Sequence, residues 1–282
     1  MIKLSAFSDE ADNRLDGQIE ALKRNGITYT ELRNLDGKSV ADLTEEEAKS
    51  VKARLDLAGI KVWSVGSPLG KVDVTCDFEA YKQKVRHICK IAKILGADKI
   101  RMFSFFHAYD ETEKVVTYLR EMVAIANEYG VKMCHENEKD IYGDVVERVE
   151  ELLEKVNGLY SVYDPANFLQ CGETAQKSLN ALHGKAEYFH IKDVIFETGE
   201  LVPAGYGDGK IDELIARIDG DKVLSIEPHL AVFEGYAAID DTEMKNKFHF
   251  ESNAVAFDAA IQAIKDLLKK AGYQETKEGF VK

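Results

Sequence analysis

The chain has few cysteines and prolines, no long apolar run and no excess of basic residues. Four cysteines among 282 residues show neither the CxxC pairs of many metal sites nor the density of a disulfide scaffold, so we expect reduced thiols. No stretch approaches the roughly 18 apolar residues of a membrane span, and the acidic N-terminal segment interrupts any signal-peptide core. The sequence therefore predicts a cytoplasmic protein with no membrane partner.

Acidic residues outnumber basic ones. The chain has 50 Asp and Glu against 37 Lys and Arg, a formal net charge of −13. Binding to nucleic acid usually needs a net basic face, because its affinity comes largely from counterions displaced from phosphates. We therefore expect no nucleic-acid partner. A hydrophobic fraction of 45% is ordinary for a soluble globular protein.

Glycines recur at near-regular intervals, each after a helical pattern and before an apolar, β-rich stretch. Glycine accepts the left-handed conformation in which many helices end, so each one predicts a helix stop. Together with the apolar start of the chain, the stretches after these glycines predict eight strands. The glycines are Gly26, Gly59, Gly96, Gly130, Gly158, Gly184 and Gly220.

Helical periodicity fills most of the segments between these strands. A clear example has apolar residues at steps of four, three and four, namely Val145, Val149, Leu152 and Val156. Only the segments after residues 184 and 209 carry weak, short helical patterns. Alternating strands and helices without a linker predict one α/β domain over residues 1–282, a (β/α)8 TIM barrel. A doubly wound open sheet is the alternative.

Four polar residues lie at nearly the same depth on four consecutive predicted strands. Glu136, Asp164 and His190 each stand six residues past the preceding glycine, and Glu227 stands seven past. At about 3.3 Å per residue they reach a common height, and barrel enzymes carry their catalytic groups at the carboxyl ends of strands. Three carboxylates and an imidazole would repel each other without a cation, so we predict a divalent metal, Mn2+, Co2+, Mg2+ or Zn2+. Alternatively, each is a solvated polar residue at the barrel mouth.

The segments around these residues carry a family resemblance. VKMCHEN, SVYDPANF, FHIKD and LSIEPH resemble the last four strand ends of the xylose-isomerase-like TIM barrel superfamily. This group holds sugar phosphate isomerases/epimerases, tagatose-3-epimerase-like enzymes, inosose dehydratases and isomerases, and the AP endonuclease family 2 enzyme endonuclease IV. The resemblance extends over nearly the whole chain.

The resemblance implies that Glu136, Asp164, His190 and Glu227 bind one divalent metal. It further implies that Glu136 and Glu227 act as acid and base on opposite faces of a carbon next to a carbonyl. The metal would hold the carbonyl and an adjacent hydroxyl and so lower the cost of an enediolate. We therefore expect a metal-dependent sugar or sugar-phosphate isomerase/epimerase.

Two other functions remain open at this point. A lyase or dehydratase could use the same metal site on an inosose-like or keto-sugar substrate. A barrel without catalytic activity could bind carbohydrate. In each case the partner is a small-molecule sugar or sugar phosphate, and the families that the chain resembles imply a homo-oligomer.

Asn167 departs from the family pattern. Epimerases of this type often carry a histidine three residues after the metal aspartate, where this chain has Asn167. Endonuclease IV uses a histidine at the same place and another in an Asp-x-His pair, which does not follow His190 here. The missing ligands argue against DNA repair and leave the sugar open. We expect Asn167 to contact the substrate.

Further substrate contacts are predicted from strand ends. Lys192 shares a strand face with His190, and the alternative for it is a buried ion pair with Glu227 or Glu136. His229 lies two residues past Glu227 and could share its inward face.

The second, third and fourth strands supply four more candidates. Glu31 and Arg33 are predicted to edge the pocket, with a structural salt bridge as the alternative. Trp63 and His107 would provide an aromatic wall and a hydrogen-bond donor, with simple packing as the alternative. All four lie near the predicted carboxyl ends of their strands.

Two loops complete the prediction. Residues 229–252 form a long connection rich in aromatics, which could be a lid over the site, a subunit contact or simple packing. The glycine-rich GYGDG at 205–209 lacks the preceding strand and the glycine spacing of a dinucleotide loop, so we exclude a nucleotide site there.

Overall fold

A parallel β-barrel organises the protein in a computed structural model, which describes residues 1–233, Tyr236 and 244–282. Its strands follow the helix stops predicted from the glycines. They are Ile2–Ala6 (β1), Tyr29–Leu32 (β2), Lys61–Gly66 (β3), Lys99–Met102 (β4), Lys132–Glu136 (β5), Leu159–Tyr163 (β6), Ala186–Ile191 (β7) and Lys222–Ile226 (β8).

The strands follow one another around the sheet in chain order. The hydrogen-bonded order is β2-β3-β4-β5-β6-β7-β8-β1, and each of these pairs is parallel. Side chains join the two ends, since Thr30 Oγ1 donates to the Ala6 carbonyl at 3.2 Å and lies 3.1 Å from Ser8 Oγ. The predicted (β/α)8 barrel is confirmed, and the doubly wound alternative is excluded.

Helices cover the outer face of the barrel. The described residues contain nine α-helices: Leu15–Arg24 (α1), Glu45–Leu57 (α2), Phe78–Leu95 (α3), Thr112–Glu128 (α4), Val146–Lys155 (α5), Pro165–Gln170 (α6), Ala175–Leu182 (α7), Ile211–Ala216 (α8) and Asn253–Lys270 (α9). The connection after β6 holds two short helices instead of one. The weak pattern after residue 209 corresponds to α8, which has six residues.

One of the seven predicted glycine stops is wrong. Gly96 ends α3 as expected, with a φ of 78°. Gly184 instead lies inside a 3-10 turn, His183–Lys185, which follows α7 directly, and its φ is not positive. The chain leaves this helix by tightening its last turn, so it needs no left-handed residue there.

The structure also contains short strands and turns that the sequence did not predict. Gln274–Glu275 and Phe280–Val281 form a hairpin that pairs with β1 through Phe280 and Ile2. Two further ribbons pair Asn34–Leu35 with Lys38–Ser39 and Asp193–Val194 with Leu201–Val202. There are two more 3-10 turns. Ser8–Glu10 follows β1, and Val40–Asp42 precedes α2.

An apolar layer inside the barrel supports the polar residues above it. Cys134, Val162, Tyr188 and Val223 form one buried cluster, with Trp63 and Tyr160 packed against it. Side chains alternate across a strand, so the next inward positions on β5, β6 and β7 belong to Glu136, Asp164 and His190. The apolar layer is therefore the floor of the polar cluster.

Candidate metal centre

Four side chains converge at the carboxyl ends of neighbouring strands. Glu136 ends β5, Asp164 follows β6 and caps α6, His190 lies in β7, and Glu227 follows β8. Each is at most 3% exposed. One ligand atom from each lies within 4.8 Å of the ligand atoms of the others. The structure thus brings the four predicted metal ligands together, and their binding of an ion stays a prediction.

His190 is the centre of this group. Its Nδ1 lies 2.7 Å from Glu136 Oε1 and 3.2 Å from Glu227 Oε2, and its Nε2 lies 3.1 Å from Glu31 Oε2. Burial alone would lower the pKa of His190, but Glu136 and Glu31 raise it well above its usual value. A metal ion and a proton compete for the same nitrogen lone pair. The same carboxylates that favour a proton on the His190 ring would also favour a metal ion bound to that nitrogen.

Two buried carboxylate oxygens in the cluster, Asp164 Oδ2 and Glu227 Oε2, form no hydrogen bond of good geometry, although Lys192 Nζ lies 3.1 Å from the first and His190 Nδ1 lies 3.2 Å from the second. Burial, together with the negative charge of Glu136 and Glu227, raises the pKa of Asp164. A buried carboxylate oxygen is costly unless a cation or donor compensates it, and each of these oxygens has a second lone pair that a cation can use. Three carboxylates and one imidazole suit the borderline ions named from the sequence. The residues present therefore fit a divalent ion.

Lys192 forms a buried ion pair, as the alternative interpretation held, but with a different partner. Its Nζ lies 3.1 Å from Asp164 Oδ2, whereas the sequence suggested Glu227 or Glu136. Burial alone would lower the pKa of Lys192, but Asp164 and the neighbouring carboxylates raise it. Lys192 therefore stays charged beside the cluster.

Arg33 also forms the buried salt bridge given as its alternative. Its Nη1 donates to Glu227 Oε1 at 2.8 Å, and its Nε donates to Asp9 Oδ2 at 2.8 Å. A longer contact of 3.4 Å joins Nη2 to Glu10 Oε1. Arg33 thus fixes Glu227 from the side away from His190.

Asn167 holds two of the cluster residues in place. Its backbone N–H donates to Asp164 Oδ1 at 3.1 Å, and its Nδ2 donates to Glu136 Oε1 at 3.4 Å and to the Asn137 carbonyl at 2.9 Å. Its Oδ1 is buried without a partner. Asn167 therefore lies beside the cluster, and its contact with a substrate stays a prediction.

The structure does not bring Trp63 to the cluster. It lies in the apolar floor, with Lys99 Nζ 3.9 Å from the centre of its ring and Tyr188 against its edge. The register of β2 and β3 shifts, so that Thr30 faces Val62 while Glu31 faces Ser64. Trp63 is the extra residue of this irregularity, and packing describes it better than a pocket wall.

His107 also lies outside the cluster. Its side chain is 83% exposed, and its Nδ1 is 2.6 Å from Asp73 Oδ2. The strand β4 ends at Met102, so the intervening loop carries His107 to the surface. We predict that His107→Ala leaves the chemistry of the cluster unchanged, and the variant serves below as a control.

Arg101 is a buried residue of the site that sequence analysis missed. Its Nε lies 3.2 Å from Glu136 Oε2. A Cβ at Gly66 would lie 2.6 Å from the Phe7 ring and 3.4 Å from Arg101 Nη2, so glycine leaves room for both side chains. Arg101 stands five residues past Gly96, one short of the six that locate Glu136, Asp164 and His190, so the count from the glycines passes over it.

The chain is similar to proteins of a known family. The family model for the xylose isomerase-like TIM barrel matches residues 19–243. The chain belongs to the xylose isomerase-like TIM barrel family. No curated protein sequence matches the chain.

Solved structures of this family share the fold at low identity. The probable 3-DHS dehydratase AsbF from Bacillus anthracis is 17% identical, with a TM-score of 0.72 over 93% of this chain and 98% of that one. A zinc-bound IOLI protein is 19% identical, with a TM-score of 0.72 over 95% and 99%. An L-ribulose 3-epimerase is 16% identical, with a TM-score of 0.72 over 96% of both chains. At these identities the likeness establishes the fold.

Two further parts of the chain, His135 and the connection at 229–252, have contacts near the cluster. His135, one residue before Glu136, points away from the cluster, and its Nε2 lies 2.9 Å from Ser104 Oγ. In the connection at 229–252, predicted as a lid, a subunit contact or simple packing, Phe233 and Tyr236 pack around His229. Residues 234, 235 and 237–243 of that segment lie outside the described residues. Among the described helices, none combines the length and apolar character that crossing a membrane requires.

The glycine-rich loop at 205–209 surrounds the side-chain carboxylate of Asp193. Asp193 Oδ2 accepts N–H bonds from Gly205 and Gly207 at 2.8 and 3.1 Å, and its Oδ1 accepts one from Gly209 at 2.9 Å. A Cβ at Gly207 would lie 2.4 Å from Asp193 Oδ1. The loop is therefore filled by a carboxylate next to Lys192, which is consistent with our exclusion of a nucleotide there.

We predict that Asp193→Asn destabilises the fold by about 2–4 kcal/mol, since charge-assisted bonds to several buried N–H groups are lost. Urea unfolding at neutral pH measures the effect. Asp219→Asn, at an exposed position, is the matched control and is expected to change stability by less than about 0.5 kcal/mol. Equal stability of the two variants would contradict the role given to Asp193.

Proposed function

We propose that the protein is a divalent-metal-dependent isomerase or epimerase of a small sugar or sugar phosphate. One observation carries the proposal: Glu136 and Glu227 both contact His190 Nδ1, and the other oxygen of each is held by an arginine. Arg101 Nε lies 3.2 Å from Glu136 Oε2, and Arg33 Nη1 lies 2.8 Å from Glu227 Oε1. Two separately oriented carboxylates at one site suit proton transfer at two faces or two neighbouring carbons.

Glu136, Asp164, His190 and Glu227 are the residues that would hold the ion. When bound, a divalent ion supplies Lewis-acid stabilisation of negative charge on substrate oxygens. Asp164 Oδ2 and Glu227 Oε2, which are buried and form no hydrogen bond of good geometry, support this assignment. Asn167 and Lys192 keep the Asp164 carboxylate in position through its two oxygens.

The two glutamates would move the protons. Burial alone would raise the pKa of Glu227, but Lys192 and His190 lower it well below its usual value. Glu227 is therefore ionised and able to accept a proton from a carbon next to a carbonyl. The resulting enediolate would receive a proton from the other glutamate, on the opposite face or at the adjacent carbon.

Lys192 and Asn167 are the proposed substrate contacts. Lys192 carries a charged Nζ at the rim of the cluster, where it can donate to a substrate hydroxyl or phosphate oxygen. Asn167 has a buried, unpartnered Oδ1 that can accept a hydroxyl proton. Glu31 and Arg33 contact His190 and Glu227, so we assign them to positioning those two residues.

The test is a screen of ketoses, ketose phosphates and inososes with the Mn2+-loaded protein in D2O. NMR should detect deuterium at a carbon next to the carbonyl, followed by a stereoisomer or positional isomer. The His107→Ala variant should behave like the wild type. An unsaturated product would overturn the proposal in favour of a dehydratase. Sugar binding that a chelator does not affect, without any exchange, would overturn it in favour of a carbohydrate-binding barrel.

A further inference from the structure

A second group of potential ligands adjoins the first and shares Glu227 with it. Ligand atoms of Glu10, Glu227 and His229 lie within 4.8 Å of one another, and all three residues are buried. His229 Nε2 lies 3.4 Å from Glu10 Oε1 and 3.6 Å from Glu227 Oε1. The group is formed by the loops after β1 and β8, which are neighbouring strands.

The imidazole of His229 is aimed into this group without a partner. The residue is 5% exposed, and its Nε2 has no hydrogen-bond partner. Its backbone adopts a φ of 46°, a conformation that costs a non-glycine residue free energy and persists where surrounding contacts maintain it. The backbone N–H of His229 donates to Glu10 Oε2 at 2.8 Å. The strained turn and this bond together hold Nε2 opposite the other oxygen of Glu10.

Arg33 engages the three buried carboxylates around it unequally. Its guanidinium binds Asp9 through two hydrogen bonds, at 2.8 and 3.2 Å, and Glu227 through one at 2.8 Å. Its contact with Glu10 is the longest of the set, at 3.4 Å. Three buried carboxylates thus surround one permanent cation. Glu10 is the carboxylate that Arg33 engages least.

We propose that Glu10, Glu227 and His229 bind a second divalent cation, with Glu227 bridging it to the metal centre proposed above. Because the two sites share Glu227, this inference rests on that proposal. Glu227 Oε2 faces the first group and Oε1 faces the second. Two carboxylates and one imidazole suit Mn2+, Co2+ or Zn2+, and ions bridged in this way lie roughly 3.5–4 Å apart. A carboxylate oxygen has two lone pairs, so Arg33 can remain bonded to Glu227.

Metal counting tests the second site directly. The purified protein, its own metal removed, is dialysed against excess Mn2+, and bound manganese is measured by mass spectrometry and electron paramagnetic resonance. The wild type should hold two Mn2+ per chain with an exchange-coupled spectrum. Glu10→Gln and His229→Gln should each hold one, with the six-line spectrum of an isolated ion. Glu138→Gln is the matched control, since Glu138 pairs with Lys71 outside both groups, and it should keep two.

Three results would overturn the inference. One Mn2+ per chain in the wild type, unchanged in Glu10→Gln and His229→Gln, removes the second site and leaves the first intact. Two Mn2+ retained in both variants place the second ion elsewhere. No bound Mn2+ in the wild type removes both sites. Because Glu10→Gln preserves side-chain shape, it still decides the question if His229→Gln fails to fold.

Discussion

Glu136→Gln is expected to slow interconversion of the substrate by about 10²- to 10⁴-fold, the usual contribution of a general acid or base. The amide keeps the shape of the side chain and an oxygen toward His190, but it cannot take up a proton. Asp164, His190 and Glu227 remain, so metal content should change little. Glu227→Gln should cause a loss of similar size, since both faces of the substrate need a proton carrier.

Glu138→Gln is the control for these two variants. Glu138 is another acidic residue close to the cluster, paired with Lys71 at 3.1 Å, and its substitution should leave the rate within about twofold. Rates and metal content are measured on the same samples. A Glu136→Gln protein that binds metal and still turns over at the wild-type rate would refute its role as acid or base.

Arg33→Met is expected to lower the free energy of unfolding by about 3–5 kcal/mol, because removing one partner of a buried ion pair leaves the other charges uncompensated. The side chain of Arg33 is 5% exposed and faces Asp9, Glu10 and Glu227. Methionine fills a similar volume, so lost packing contributes little. Urea unfolding of the metal-free protein separates this effect from metal binding.

Arg24→Met is the matched control. Arg24 also pairs with a carboxylate through two hydrogen bonds, to Asp258 at 2.8 and 2.9 Å, but its side chain is 46% exposed. Solvent screens such a pair, so its loss should cost less than about 1 kcal/mol. Similar destabilisation by the two substitutions would mean that the carboxylates around Arg33 are not held as buried charges.

The barrel and the position of the four clustered residues could be predicted because both follow from local signals. Six of the seven helix stops have a positive φ, and each stop sets the start of the next strand. Side-chain alternation then fixes the depth and face of Glu136, Asp164 and His190. This count requires no knowledge of contacts distant in the sequence.

The predictions that were wrong, and the residues that the sequence did not indicate, depend on contacts that no local pattern encodes. The register shift between β2 and β3 puts Trp63 in the floor, and the short β4 leaves His107 on a surface loop. Glu10 belongs to a 3-10 turn after β1 and meets His229 only when β1 and β8 pair. The pairing of the first and last strands brings such loop residues together, and no local sequence pattern indicates which loops will meet.

The proposed chemistry depends on a divalent ion held by Glu136, Asp164, His190 and Glu227. A crystal structure of the Mn2+-loaded protein, with data collected at an energy where manganese scatters anomalously, tests it most directly. We expect an anomalous peak in contact with oxygens of Glu136, Asp164 and Glu227 and with His190 Nδ1. An empty cluster in protein soaked with excess Mn2+, or a peak only at surface carboxylates, would contradict it.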